Sequence, residues 1–387
     1  MMTIPLKYNI RNLVVRKVTT AMTIAGIALV VATFVALMAM ADGLSRTLVA
    51  TGVAENVVML RKGAIADAAS SLGLDQFMAV RDLAAFARDA QGNTLVSPEL
   101  CFQILSRKRE AGEANVILRG VRPIAFHVHR SVKIAQGRAV AVRAGELVVG
   151  RGVLARYSGF DLGSHVKLFQ REWTVVGVLE AGGGSFESEV WCDLDDLMSD
   201  TKRSYYSAVF ATLADPAGFE AVHRTVADDP RINLEAKTEI EYYREQSESA
   251  MHLRALGMVV AFIMGVGAIF AAMNTMYAAI ASRTKEIGTL RALGFSRAAV
   301  TTSFVIESML LSLPGGILGC ILALPTNGMS GGTMNMRSFA DVSFQFTITP
   351  HIVLSALGFS LAIGFFGGLL PARMGASTPI VRALREI

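Results

Sequence analysis

The sequence predicts an α-helical membrane protein with four transmembrane helices plus a large α+β extracytoplasmic domain between helices one and two. Three observations carry that expectation. Four apolar runs each approach the roughly 20 residues that a helix needs to cross a bilayer core. The stretch 42–254 is soluble-like in composition and long enough for one or two compact folds. Basic residues gather in some of the short flanking segments and avoid others. The bulk values agree: 52% of the 387 residues are hydrophobic and 18% are charged, and the mean hydropathy is +0.45, too apolar for an ordinary soluble chain.

Residues 1–20 read as an interfacial helix, with Leu6, Ile10, Leu13 and Val14 on one face and Lys7, Asn9, Arg11, Asn12 and Arg16 on the other. The first span, 21–41, stops at Asp42 and Gly43. Ala39, Met40 and Ala41 imitate a cleavage site, but the apolar run exceeds the roughly 7 to 15 residues of a signal-peptide core, so an uncleaved anchor is expected. The second span, 255–281, lies between Arg254 and Arg283. The third, 303–324, has Glu307 in its first turns and Pro314 in its middle, and the fourth, 352–370, stops at Pro371. Glu307 is the sole acid in any of these runs, either a shallow carboxylate reaching back to the interface or a buried partner of a cation. Pro314 is either a hinge or a tolerated bend. Gly315 and Gly319, Gly364 and Gly368, and Gly267 and Ala271 have the small-xxx-small spacing that lets helices approach closely.

Orientation follows from the flanking cations. Lys7, Arg11, Arg16 and Lys17 precede span one, Arg283, Lys285, Arg291 and Arg297 fill the link 282–302, and Arg373, Arg382 and Arg385 mark the tail 371–387. The outer loop 325–351 holds only Arg337 and Asp341 as charges. Both termini are therefore expected in the cytosol, in the inner membrane of a bacterium and in contact with its lipid. The net charge of +5 is explained by these flanks, and no basic helix with base-reading spacing points to nucleic acid.

Within the outer domain, Val57 to Leu60, Val116 to Arg122, Glu146 to Val149, His165 to Phe169, Trp173 to Leu179 and Ala208 to Leu213 read as strands. Asp75 to Asp89 and Ala217 to Ala227 read as helices. Ala181 to Ser185, with three glycines in a row, is a flexible loop and no phosphate cradle, because no helix start with Lys and Ser follows. His127 and His129 would share a face of a strand, and without a third ligand in register a solvated face is expected rather than a metal site. Asp193, Asp195 and Asp196 read as a turn and helix start rather than a calcium loop. Cys101 and Cys192 could form a bridge outside the cytosol, if geometry allows, while Cys320 sits in an apolar run.

The link carries the chemistry. In Arg283 to Ser296, Ile287, Leu290 and Leu293 recur at helical spacing with Ala292 beside them, which predicts a short amphipathic helix. Such a helix can dock an apolar ridge into a partner and pass on its motion, or it can be a solvated loop with helical character. Glu286 is placed to pair with a base or cap its own helix, Arg291 to reach an acid, Gly288 to permit close approach and Gly294 to end the helix.

The run "RTKEIGTLRALG", with Arg283, Glu286, Ile287, Gly288, Leu290, Arg291, Ala292, Leu293 and Gly294 as its telling positions, resembles the coupling segment of FtsX/MacB-type ABC permeases. Tyr8 to Leu29 is similar to that family's entry into span one, Pro371 to Arg385 to its closing tail, and Leu147 to Leu179 more weakly to its outer domain. The resemblance implies a permease dimer, homomeric or heteromeric, worked by cytosolic ABC ATPase subunits. It implies an outer domain split into a βαβ-like part and an inserted β-rich part at 97–205. It also admits a periplasmic adaptor or other outer partner.

One departure matters, because no G-x-x-x-x-G-K-[ST] run occurs, so ATP and magnesium are expected in a separate ATPase and this chain is expected to bind no cofactor and no metal and to have no catalytic centre. "MSGGT" at Met329 to Thr333 imitates an ABC signature by coincidence. The expected function is an exporter or extractor of amphiphilic, lipid-linked or peptide cargo. The alternative is a mechanotransmitter that activates an outer partner such as a cell-wall hydrolase, and a membrane-anchored enzyme finds no nucleophile elbow, zinc set or acid pair to support it.

Overall fold

The computed structural model describes residues 17–229 and 232–385. They form two units: a helical bundle that runs to Asp42, resumes over His252–Met329 and returns from Phe346 onward, and an α+β domain of Gly43–Met251 and Ser330–Gln345. The interfacial helix expected over 1–20 lies outside the described residues except at its end, where 17–20 open the first long helix.

Among the described residues, four helices are long and apolar enough to cross a membrane: Val18–Val49, Glu239–Ala281, Arg297–Thr326 and Pro350–Ser377. They are called spans one to four. The first does not stop at Asp42 and Gly43 but continues to Val49, because Leu44 and Leu48 find buried positions that outweigh a lone charge and a glycine. Pro314 stands inside an unbroken helix, Arg297–Ala323.

Packing follows the small residues. A Cβ on Gly319 would lie 2.6 Å from Val31 Cβ, and one on Gly315 2.9 Å from Ile27 Cβ, so span three presses against span one at two successive turns. Gly364 and Gly368 do the same against span three, where their Cβ atoms would meet the Ser308 carbonyl oxygen at 2.9 Å and Ser308 Cβ at 2.6 Å. Gly367 abuts Ala272 of span two in the same way. The third expected pair fails: Gly267 has nothing within 4 Å, and both Gly267 and Ala271 are exposed. Spacing marks where helices can approach, but the buried side of span two is set by Ala268, Ala272 and Met276 instead.

The α+β domain is built on one mixed sheet. Its strands are β1 (Asn56–Arg61), β2 (Val96–Arg107), β3 (Glu113–Val121), β4 (Lys133–Gly137), β5 (Glu146–Gly150), β6 (His165–Leu168), β7 (Arg171–Glu180), β8 (Glu189–Asp193), β9 (Ala208–Thr212) and β10 (Leu234–Thr238). They lie in the order β10-β1-β9-β2-β3-β8-β5-β7-β4, with β6 beside β7. Only β3 with β8 and β5 with β7 run parallel. Both faces are covered, and alternate residues serve different cores: Val57 and Met59 join one cluster with Trp173, Val58 and Leu60 the other with Trp191 and Phe210. This two-sided burial is why β1 reads as an unbroken apolar run.

Several local expectations change. The helix expected over Asp75 to Asp89 is short, Leu74–Val80. Past it the chain turns to place Phe86 and Arg88 in isolated bridges with Leu213 and Thr94. The segment 325–351 is more than a loop: β11 (Ser330–Met334) and β12 (Asp341–Gln345) form a hairpin that belongs to the α+β domain. Asp341 anchors it by accepting from Tyr157 Oη at 2.6 Å and pairing with Arg156 at 2.6 Å. Cys101 and Cys192 are free thiols, kept apart by β3, which pairs with the strand of each on opposite sides.

Strand β2 is shared. Its first residues, Val96 to Glu99, pair with β9, and Leu100 to Arg107 pair with β3. At that change of partner sits a buried ionic cluster centred on Arg119 of β3. The guanidinium donates to Glu99 at 2.8 Å, Asp67 at 2.9 Å and both oxygens of Glu189 at 2.6 and 2.8 Å.

His129 does not sit on a solvated strand face with His127. It caps the short helix Ala125–Val128 and is buried, with Nε2 2.7 Å from Glu99 Oε1 and Nδ1 3.6 Å from Glu239 Oε1. Burial works against its charge, but Glu99 and Glu239 on either side raise its pKa to about 9. Burial likewise pushes the Glu99 carboxyl up, yet His129 and Arg119 overcome it and hold it below the ordinary range. Glu239 also accepts from the Val53 N–H at 3.0 Å and from Asn56 Nδ2 at 2.9 Å.

Two outcomes are expected. Gly319→Ala lowers the melting temperature of the detergent-solubilised chain, at a cost of ~1–3 kcal/mol for overpacking, while Gly267→Ala leaves it unchanged. Because His129 is raised from 6.5 to about 9, its stabilisation is complete below pH ~6.5 and is lost as pH rises through about 9. A pH series of melts should show that decline in the wild type and its loss in His129→Gln.

Candidate functional site

The link between spans two and three begins where span two ends at Ala281. Arg283 takes a non-helical conformation and opens the link helix, Thr284–Ala292. Gly294 then adopts φ +95°, with open space where a side chain would be, and in this left-handed conformation it ends the helix. The Phe295 N–H returns to the Leu290 carbonyl at 3.2 Å. Ser296 Oγ accepts the Ala299 N–H at 3.1 Å and caps span three. The reversal is therefore complete within four residues, "LGFS", each with a conformational task.

The two sides of the link helix differ. On the inner side, Ile287 is buried among Met276, Ile280, Val300 and Phe304, and Gly288 is buried beside it. Arg283 turns inward too. Its Nη1 donates to both carboxylate oxygens of Glu307 at 3.0 Å, with side-chain exposures of 8% and 3%. Glu307 is thus no shallow carboxylate seeking the interface. The apolar bundle cannot hold its charge alone, and the guanidinium one helix away supplies the counterion. Arg291 is half-buried and donates to the Phe295 carbonyl at 3.2 Å, which holds the turn rather than reaching outward.

The outer side carries Lys285, Glu286, Thr289, Ala292 and Leu293, all exposed. These positions recur at helical spacing and make one face. Leu293 is 67% exposed, large for an apolar residue with no core to fill. The apolar ridge expected from Ile287, Leu290 and Leu293 is therefore divided: Ile287 faces the chain's own core, Leu290 is half-buried and Leu293 looks out. Arg283, Ile287 and Gly288 secure the helix, while Glu286 and Leu293 are presented by it.

Sequence spacing did not connect Arg283 with Glu307, because 24 positions separate them. The available signal was the acid itself, since a lone carboxylate in an apolar span needs a partner. The Arg119 cluster left no such trace, its members being scattered along the chain.

A family described as MacB-like periplasmic core domain matches residues 20–228, and one described as FtsX-like permease C-terminal matches residues 258–380, which include the link helix. The macrolide export ATP-binding/permease protein MacB of Photorhabdus laumondii is 26% identical over 97% of this chain and 59% of its own length. The pyoverdine export ATP-binding/permease protein PvdT of Pseudomonas entomophila is 25% identical over 94% of this chain and 57% of its own. The chain thus spans less than two thirds of the length of these relatives. The solved periplasmic region of MacB from Actinobacillus actinomycetemcomitans aligns with 52% of this chain and 93% of its own at 12% identity and a TM-score of 0.36.

Breaking the buried pair tests its structural part. Arg283→Met or Glu307→Met alone is expected to cost ~3–5 kcal/mol by stranding a charge, whereas the double substitution recovers most of it. Thermal melts of the three variants in one detergent measure this, and additive losses would show that the two side chains act independently.

Proposed function

The chain belongs to the MacB-like and FtsX-like permease family, and from that membership we propose that it is the membrane-spanning subunit of an ATP-driven exporter or extractor. The link helix is its coupling helix. It receives the movement of a separate cytosolic ABC ATPase, which binds ATP and magnesium, and passes that movement through the spans to the α+β domain outside. Both termini lie in the cytosol, and two permease chains pair in the inner membrane.

The observation that carries this reading is the division of the link helix. A helix fixed on one side by a buried ion pair and Ile287, and solvent-exposed on the other at Glu286 and Leu293, moves with the spans when its exposed face is pushed. A solvated loop would dissipate such a push. The cargo class is amphiphilic, in keeping with relatives named for macrolide and pyoverdine export. The chain itself supplies no catalytic group.

The test is purification of the full chain from its own host in mild detergent. An ATP-hydrolysing subunit is expected to copurify, with Glu286→Lys and Leu293→Asp lowering its recovery by about tenfold, equivalent to ~1.4 kcal/mol, without shifting the melting temperature of the chain. Recovery unchanged by both substitutions would overturn the coupling role. Labelling of Glu286→Cys and Glu172→Cys, both at exposed positions, from the same face of the membrane would overturn the topology.

A further inference from the structure

The parallel pair β5 and β7 ends, in register, at Gly150 and Leu179. Immediately beyond these carboxyl ends lie Arg151 and the glycine loop after Glu180. In sheets with parallel strands, the crevice past the carboxyl ends is where ligands are held, because the following loops diverge there. A cleft of about 600 Å³ occupies this position, within the range of small-molecule sites. It lies wholly within the α+β domain.

The charges around it are unevenly used. Arg151 is paired with Glu180 at 2.8 Å. Glu187 Oε1 accepts the N–H groups of Ala181 at 2.8 Å and Gly183 at 2.9 Å, so this carboxylate is spent on shaping the loop. Arg130 and Lys133 also line the cleft. Both are exposed, and among the described residues neither side chain has an ion pair or hydrogen bond. Between them Ser131 Oγ is buried without a partner, an arrangement that costs free energy unless something completes it. Opposite, Gly182 and Gly183 take φ +58° and +80° in succession. Such left-handed turns present backbone N–H groups toward an anion, and no described group accepts the Gly182 N–H.

We propose that this cleft binds a phosphate group, as a monoester or diester, with Arg130 and Lys133 as its cations and Ser131 and the Gly182 N–H as neutral donors. A guanidinium, an ammonium and two neutral donors lining one cleft suit a tetrahedral oxyanion, whose several oxygens accept from different directions. The two acids present do not repel it strongly, since each already has its donors. The sequence showed three glycines and no helix start with Lys and Ser after them. The cations that replace that arrangement come from a different strand, β4 and the turn before it.

The test uses the full chain in detergent and calorimetric titration with two probes, inorganic phosphate and short-chain phosphatidylglycerol below its micelle concentration. Saturable binding of at least one is expected, weakened about tenfold or more by the double substitution Arg130→Gln with Lys133→Gln. Arg143→Gln, which removes a cation of the same domain remote from the cleft, should bind as the wild type does. Binding of phosphate alone assigns a soluble ligand, and binding of phosphatidylglycerol alone assigns a lipid headgroup. Absence of binding by both probes, or equal binding by the double variant with an unchanged melting temperature, overturns the proposal. None of these outcomes depends on an ATPase, so the site and the coupling role stand or fall separately.

Discussion

One buried ion pair, with Ile287 packed beside it, ties the link helix to the bundle. Arg283 and Glu307 are withdrawn from water together, and each is tolerable there only because of the other. The guanidinium reaches both oxygens of the carboxylate from the start of the link helix, while the carboxylate belongs to span three. Span three is in turn pressed against span one through Gly315 and Gly319 and receives Gly364 and Gly368 of span four. Parting the two side chains would leave each charge buried without its counterion, and that cost holds the link helix to span three.

The α+β domain repeats the logic with different residues. Arg119 binds three acids drawn from separate elements. It does so at the point where β2 leaves β9 for β3. The surroundings are aromatic, with Phe186 and Phe210 rings 5.4 and 5.9 Å from the guanidinium carbon, a setting that strengthens the interactions of a buried charge. His129 extends the cluster to Glu239, the first residue of the helix Glu239–Gln246. Charge pairing, rather than apolar contact alone, joins the two halves of the sheet.

Much of this was legible in the residues. The four spans are readable because lipid demands a long uncharged run and nothing else in the chain supplies one. β1, β5 and β9 are readable because β-branched residues fill a pleated surface. The helix after Leu74 was overextended because Leu83 and Ala84 keep helical spacing, yet their environment is a turn that feeds two isolated bridges. The hairpin of β11 and β12 is hard to read because β11 is built of Ser, Gly and Thr with no alternation, and the short alternation of Val342 and Phe344 in β12 is legible only beside a partner strand; Asp341 and the domain it joins hold it. The helical character of the link is legible in its spacing but its faces are not, since spacing alone cannot tell which apolar residue meets the chain's own core. Long-range charge pairs are the least legible of all, because nothing local in Arg119 or Arg283 reveals which acid it will meet.

The change of partner along β2 limits how the domain can be dissected. Beyond that change of partner, β3 supplies the guanidinium that pairs with Asp67, which precedes β2, and with Glu99, at the end of the part of β2 that pairs with β9. A fragment cut just after Glu99 would keep both carboxylates in a greasy interior with that counterion gone. The strands on either side of the change are thus one indivisible piece electrostatically.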